Sequence, residues 1–262
     1  RRYPGIDPDL SIFPQKELAF ALRHELVLRG PEPIDDEVTD AINLLLYRHS
    51  AHMGRTTAEN LMRISDMMPA SDYGSARNVA MWRGDVRELA ADAVVNAAMP
   101  NLLGCKDPLH PCIDNYIQGQ GGPWIRNDCS VIREIQGKDQ EVGDAVLTRG
   151  YRLPARYVLH TLGPHLNGGE VTDEDREKLA ACYTSCLDLA LEKGDIHNVS
   201  FCALSTGRNN FPFEEATHIA LDTVNQWLQY HGTDVIELVV FNIFEDADAE
   251  GYMQALEGWV ED

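Results

Sequence analysis

Basic residues are scarce in this chain. Across 262 residues, 22 Lys and Arg stand against 42 Asp and Glu, a formal net charge of −20. Neutralising a phosphate backbone takes clustered cations, so the balance argues against a nucleic-acid partner and equally against an anionic membrane surface. An anionic ligand would have to be held by backbone amides and helix N-termini rather than by cationic side chains. Long apolar runs are lacking too, and none approaches the roughly 20 residues a membrane span needs. The first ten residues, RRYPGIDPDL, contain neither a starting methionine nor an apolar signal core, and read as the ordered remainder of a longer chain. Six cysteines are too sparse for a disulfide scaffold, and two of them share one short loop with a histidine, which favours a reducing compartment, so an intracellular, cytoplasmic location is expected.

What the chain does have is concentrated in that loop. Residues 104–115 read GCKDPLHPCIDN, placing Cys105, His110 and Cys112 within eight positions and Asp114 directly after them. Two thiolates and an imidazole suit Zn²⁺, and three protein ligands leave a fourth tetrahedral position for water or substrate, as a catalytic site requires. A closed structural site would add a fourth Cys or His, yet Cys129, Cys182, Cys186 and Cys202 lie along segments patterned as helix or strand. The competing reading of the same spacing is buried cysteines beside a satisfied histidine.

Up to residue 76 the signals are helical. Pro14 opens a helix with Leu18, Leu22 and Leu26 at four-residue spacing, stopped by Gly30. Asp35 and Asp36 start a second, with Val38, Ala41, Ile42, Leu45 and Leu46 on one face. Thr56 and Glu59 form the pattern of a capping box for a short third helix ending near Pro69. Such short amphipathic helices cannot bury their faces alone and are expected to dock on the remainder of the chain, and a packing role alone would account for them.

From Asn78 the pattern alternates. Strand-like runs fall at 78–82, 93–97, 144–148, 156–161, 198–205 and 235–243. Leu179, Cys182, Tyr183, Cys186, Leu187 and Ala190 form the stripe of one long helix ended by Gly194. Ile219, Ala220, Val224, Trp227 and Leu228 form that of another, between Pro212 and Gly232. This alternation implies an α/β sandwich with the sheet between helices, and assigns Cys182 and Cys186 to the core.

Ligands bind such sheets where strands end and helices begin. Three loops qualify: Arg83-Gly84-Asp85-Val86; Asn96-Ala97-Ala98-Met99, leading into the Cys/His loop and Gly119-Gln120-Gly121-Gly122; and Ser205-Thr206-Gly207-Arg208-Asn209-Asn210-Phe211-Pro212. Asp85 could accept hydrogen bonds from an exocyclic amine or simply cap a helix. The 205–212 turn could cradle a diphosphate on its amides or be a plain strand-to-helix turn.

Taken together, GDV at 84–86, VVNAA at 94–98, VLHTLGP at 158–164, STGRNNFP at 205–212 and VVFNIF at 239–244 resemble a macrodomain, the module that binds ADP-ribose. NLLGCKDPLHPCIDN resembles its zinc-containing, sirtuin-linked branch of ADP-ribosylhydrolases, which also carries a helical extension. The resemblance implies a three-layer α/β/α sandwich with a mixed sheet at 77–262, preceded by a helical extension at 1–76. It implies zinc on Cys105, His110 and Cys112, with Asp114 in the position of the catalytic aspartate. Asp85 and Val86 would hold adenine, with Phe244 and Asn242 bordering the adenosine. Ser205, Thr206, Gly207, Arg208, Asn209 and Phe211 would hold the diphosphate, and Asn96 would face the distal ribose. Two residues depart from the family pattern. Met99 stands where an asparagine is common, for which Asn101 is the candidate substitute, and Gln118 stands where many members have His, which argues against a histidine-assisted mechanism. The expected function is zinc-dependent removal of mono-ADP-ribose from modified protein side chains. The alternatives are an ADP-ribose reader with a structural zinc, and a hydrolase of a small ADP-ribose metabolite.

Overall fold

Apolar, β-branched runs become strands and the 3.6-residue stripes become helices. The computed structural model describes residues 15–166, 168 and 170–260. Pro14 as a helix opener and the stretch 1–10 lie outside the described residues, as does the side chain of Leu18. In chain order the strands are β1 (Thr56–Thr57), β2 (Val79–Arg83), β3 (Leu89–Ala90), β4 (Ala93–Ala97), β5 (Ala145–Arg149), β6 (Tyr157–Thr161), β7 (Asn198–Cys202) and β8 (Leu238–Ile243). Six of them form one sheet in the order β2-β8-β7-β4-β6-β5, while β1 and β3 pair separately. All neighbours in the large sheet are parallel except β5, which runs antiparallel to β6 at the edge. Both faces of the parallel strands are covered, which is why β4 and β8 read as nearly continuous apolar runs.

The helices are α1 (Gln15–Leu28), α2 (Asp36–His52), α3 (Ile64–Met67), α4 (Ile113–Gly121), α5 (Pro123–Gln136), α6 (Asp173–Lys193), α7 (Phe213–His231) and α8 (Asp246–Glu257). The α6 stripe is buried at all six expected positions, and Gly194 ends the helix in the left-handed region at φ 77°. One core packs α6, α7 and α8 against the sheet through residues such as Leu187, Val224, Phe241 and Leu256. A second, on the other face, joins Val94, Val158 and Val240 to Ile117, Ile125 and Cys129 of α4 and α5. The result is a three-layer α/β/α sandwich with a mixed sheet. Among the described residues no helix is long and apolar enough to cross a membrane.

The N-terminal helices dock as their amphipathic faces require. Leu26, Ile42 and Leu46 bury themselves together against Trp124 of α5, whereas Val38 and Leu45 of the expected α2 stripe are half exposed. Asp35 caps α2 by accepting from the Val38 N–H at 3.2 Å. The third helix is a correction. Thr56 lies in β1, paired with Leu89, and Glu59 accepts from Asn198 Nδ2 at 2.9 Å instead of closing a capping box. The helix itself starts later, at Ile64, where Asp66 Oδ2 accepts from the Arg63 N–H. Gly119–Gly122 is a second correction: this is the last turn of α4 and its joint with α5, not a loop. Gly122 has φ 90°, a value that favours glycine.

Candidate active site

Because β2, β4, β6, β7 and β8 are parallel, the loops leaving their carboxyl ends gather on one edge of the sheet. Those loops are 84–86, 98–112, 162–166, 203–212 and 244–245, and they carry most of the residues singled out in the sequence, while Asn96, Asn242 and Asp114 lie in β4, β8 and α4 beside them.

At the β2 and β8 end, Arg83, Gly84, Asp85, Phe244 and Glu245 line a cleft of about 570 Å³. The Asp85 side chain accepts from the Arg87 N–H at 2.9 Å, so it does cap the short turn Val86–Glu88. It also receives the Arg87 guanidinium on both oxygens. Burial pushes the Asp85 carboxyl up, but Arg87 outweighs it and holds the carboxyl below its usual range. Arg87 in turn lies over the Tyr116 ring of α4 at 4.5 Å, tying this loop to the helix beyond the Cys/His loop. Val86 is buried in the second core, and Asn242 donates to the carbonyl of Gly84 at 2.9 Å, so it shapes the cleft from beneath. Phe244 is 61% exposed, free to cover a flat ligand.

The turn after β7 is strained at two non-glycine positions, Ser205 with φ 63° and Asn210 with φ 57°. It is laced to the loop after β6: Leu166 N–H donates to the Asn209 carbonyl at 2.8 Å and Asn209 Nδ2 to that of Gly163 at 3.2 Å. Ser205 Oγ is buried without a partner among the described residues. Thr206, Gly207 and Arg208 stand toward solvent ahead of α7, whereas Phe211 is 2% exposed and belongs to the main core. The Phe211 ring therefore anchors the turn, and its N–H closes it onto the Ser205 carbonyl at 3.0 Å.

The loop after β4 brings Cys105, His110 and Cys112 together, with their ligand atoms all within 4.8 Å of one another. Around a tetrahedral Zn²⁺ with Zn–S of about 2.3 Å and Zn–N of about 2.0 Å, donor atoms stand roughly 3.5–3.8 Å apart. The Cys105 Sγ to His110 Nδ1 separation of 3.6 Å falls in that range, so the donor set fits the metal. Asn115 of α4 shapes the loop by donating to the carbonyls of Asp107 (2.7 Å) and His110 (2.8 Å). Burial pushes the Cys112 thiol up to about 12 and the His110 imidazole down. A divalent cation works against the first by displacing the thiol proton and with the second, which keeps imidazole neutral. Arg208 reaches across from the β7 turn to Asp107 at 3.1 Å, joining the two loops at the surface.

Asp114 lies at the start of α4, 3% exposed. One oxygen accepts from the Cys105 N–H at 2.6 Å and the other from Asn96 Nδ2 at 2.8 Å. Burial pushes its carboxyl above the usual range, against the pull of those two donors and of the Arg126 charge. Asn96 is fully buried, and its amide nitrogen is shared between Asp114 and His160 Nδ1 (3.1 Å). His160 Nδ1 thus accepts, leaving Nε2 to donate to Thr148 Oγ1 at 2.9 Å, and burial drives its pKa to about 3. A neutral histidine and an amide therefore stand behind the carboxylate. Asn101 caps its own loop by accepting from the Leu103 N–H at 3.0 Å, and Met99 is 43% exposed.

Sequence reasoning missed Arg87, Asp107, Arg126 and His160. His160 alone carried a signal, as a titratable residue inside an apolar strand. Gly104, next to Cys105, was also passed over. It has φ 85°, and a Cβ there would lie 2.9 Å from Arg126 Nη2. Gly104→Ala is therefore expected to destabilise the fold by about 1–3 kcal/mol, read as a lower urea midpoint.

The chain as a whole is similar to known proteins. The Macro domain family matches residues 95–220. A protein-ADP-ribose hydrolase of Staphylococcus aureus strain Mu50 is 44% identical over 252 residues, covering 95% of this chain and 90% of the relative. One from Treponema medium is 40% identical over 189 residues, 72% of this chain and 70% of that one. Among solved structures, a Trypanosoma brucei macrodomain in complex with ADP shares 29% identity and a TM-score of 0.67 over 90% of this chain and 95% of that chain. An Oceanobacillus iheyensis macrodomain with ADP shares 32% identity and a TM-score of 0.62 over 69% and 91%. A mixed sheet whose parallel strands gather the loops that follow them on one edge, and 44% identity to a protein-ADP-ribose hydrolase over 95% of its length, make this chain a member of the Macro domain family.

Proposed function

We propose that the protein is a zinc-dependent hydrolase that releases mono-ADP-ribose from modified protein side chains, acting inside the cell as a member of the family's zinc-containing branch. On this reading residues 77–262 are the macrodomain and 1–76 its helical extension. The observation that carries it is the open Cys105–His110–Cys112 donor set beside the buried Asp114, on the same edge as the cleft at Asp85 and the β7 turn. The relatives named protein-ADP-ribose hydrolase and the macrodomains solved with ADP support the substrate class.

Asp85, kept ionised by Arg87, accepts from the exocyclic amine of adenine, with Phe244 over the base. The 205–209 backbone and the N-terminus of α7 receive the diphosphate without any need for clustered cations, consistent with a −20 chain. The distal ribose then points toward the Cys/His loop. Bound there, Zn²⁺ would supply Lewis acidity and a coordination position for an oxygen of the substrate or of water. Asp114 keeps a second lone pair on each oxygen, and its raised proton affinity suits a group that takes a proton from water at neutral pH. The bond from C1″ to the protein side chain breaks, water oxygen replaces it, and the departing side chain leaves with a proton. Asn96 holds the carboxylate in place and His160 holds Asn96, both as positioning residues.

Asp85→Ala is expected to weaken ADP-ribose binding about ten- to a hundredfold, the loss of a charged acceptor for the adenine amine, as read by calorimetry. A second reading is favoured by Met99, whose exposed thioether stands where an amide is common: a reader that retains the mark. Incubation with a mono-ADP-ribosylated protein separates the two. Release of free ADP-ribose supports the hydrolase, and retention of the mark on a bound, unconverted substrate overturns it.

A further inference from the structure

Arg126 is among the most completely buried side chains of the molecule, and the proposed chemistry does not use it directly. It sits in the first turns of α5, behind the Cys/His loop. Its Nη1 donates to the carbonyl of Leu26 and, at 2.9 Å, to that of Arg29, at the C-terminal end of α1. On its other side Nη2 faces Gly104, whose missing Cβ leaves room for it, and Asp114 is close enough to stabilise its charge. Lys106, between the ligand Cys105 and the Asp107 that shapes the loop, donates to the same Arg29 carbonyl at 2.8 Å. A helix C-terminus carries unsatisfied carbonyls and partial negative charge, so α1 supplies the acceptors for Nη1, whereas Nε and Nη2 are buried with no hydrogen-bond partner among the described residues. Leu26, packed with Ile42, Leu46 and Trp124, holds that helix end against α5.

We infer that Arg126 is a positioning residue that couples the N-terminal extension to the metal loop: α1 docks onto Arg126 and Lys106, and so fixes the backbone that presents Cys105. The inference rests on the zinc reading above. Withdrawing α1 would leave a buried cation without acceptors directly behind Gly104 and Asp114, and the loop would have to rearrange. By linkage, the coupling is reciprocal: metal in the loop strengthens docking of α1, and α1 strengthens binding of metal.

The test uses the full chain. Zinc affinity is measured by competition with a chromophoric chelator for the wild type, Arg126→Leu and the milder Lys106→Met, the latter guarding against a fold defect in the former. Hydrogen exchange is followed over residues 17–29 in the zinc-loaded and stripped wild type. Arg126→Leu is expected to weaken zinc binding about ten- to a hundredfold, as for other groups supporting metal ligands, and Lys106→Met about two- to tenfold. Exchange in α1 should rise on stripping. Should Arg126→Leu not fold, Lys106→Met and the exchange measurement decide. Unchanged affinity in the variants that fold, or α1 exchange indifferent to zinc, overturns the coupling even where the wild type binds zinc. A wild type that binds no zinc overturns it together with the proposed metal site.

Discussion

Cys112→Ala is expected to abolish the hydrolase while sparing recognition of the nucleotide. The donor triangle is closed by Cys105, His110 and Cys112, and two ligands no longer hold a divalent cation against water. Lewis-acid stabilisation is worth several kcal/mol in a transition state, so release of ADP-ribose from a modified protein should fall on the order of 10³-fold. Bound zinc, measured by metal analysis after desalting, should drop from one per chain toward none. Free ADP-ribose should still bind with an affinity within a few-fold of wild type, because the Asp85 cleft and the β7 turn belong to other strands.

The second large effect belongs to Asp114. Its two oxygens hold the Cys105 N–H and the Asn96 amide, both buried, so Asp114→Ala leaves two donors unsatisfied. Each costs about 1–3 kcal/mol, which should appear as a lower denaturation midpoint. Turnover should fall about 10²–10⁴-fold, the span typical of losing a general base. Asp114→Asn keeps the shape and one acceptor, so it should recover most of the stability and almost none of the rate. A rate recovered in parallel with stability would show that the carboxylate serves the loop alone. The direction of its titration adds a pH signature. A carboxyl raised by burial is favoured by the fold in its neutral form, so its contribution to stability is present at low pH and is lost as pH rises past its ordinary range. Wild type should therefore lose stability relative to Asp114→Asn across that interval.

Helices α6 and α7 and the parallel strands were legible because their burial is periodic, whereas α5 was not read. The α6 stripe from Leu179 to Ala190 and the parallel strands state their environments in one pattern each. Helix α4 did not, because the residues it buries include Asp114, Asn115, Gln118 and Gln120, polar groups that serve the site and erase the apolar stripe. Helix α8 was silent for a different reason: its large apolar residues, Tyr252, Met253 and Leu256, are confined to its second half, and Gly251 stands where a Cβ would meet the Phe213 ring at 2.4 Å. The Thr56–Glu59 spacing imitated a cap, but long-range pairing of Thr56 with Leu89 overrode it. In the site, the spacing of the Cys/His loop carried the donor set, since its ligands lie within eight residues. The partners that give Asp85 and Asp114 their character were not legible. Arg87 reads as an ordinary surface cation, and Asn96 and Arg126 meet Asp114, and His160 meets Asn96, only once four separate elements have packed.

The most direct measurement is the rate at which a mono-ADP-ribosylated protein is cleared before and after zinc is stripped by a chelator, followed by titration with Zn²⁺. Clearance should be lost on stripping and return at about one equivalent of metal, set by the three-ligand site. Clearance that continues at the untreated rate in the stripped protein would contradict a zinc-dependent hydrolase.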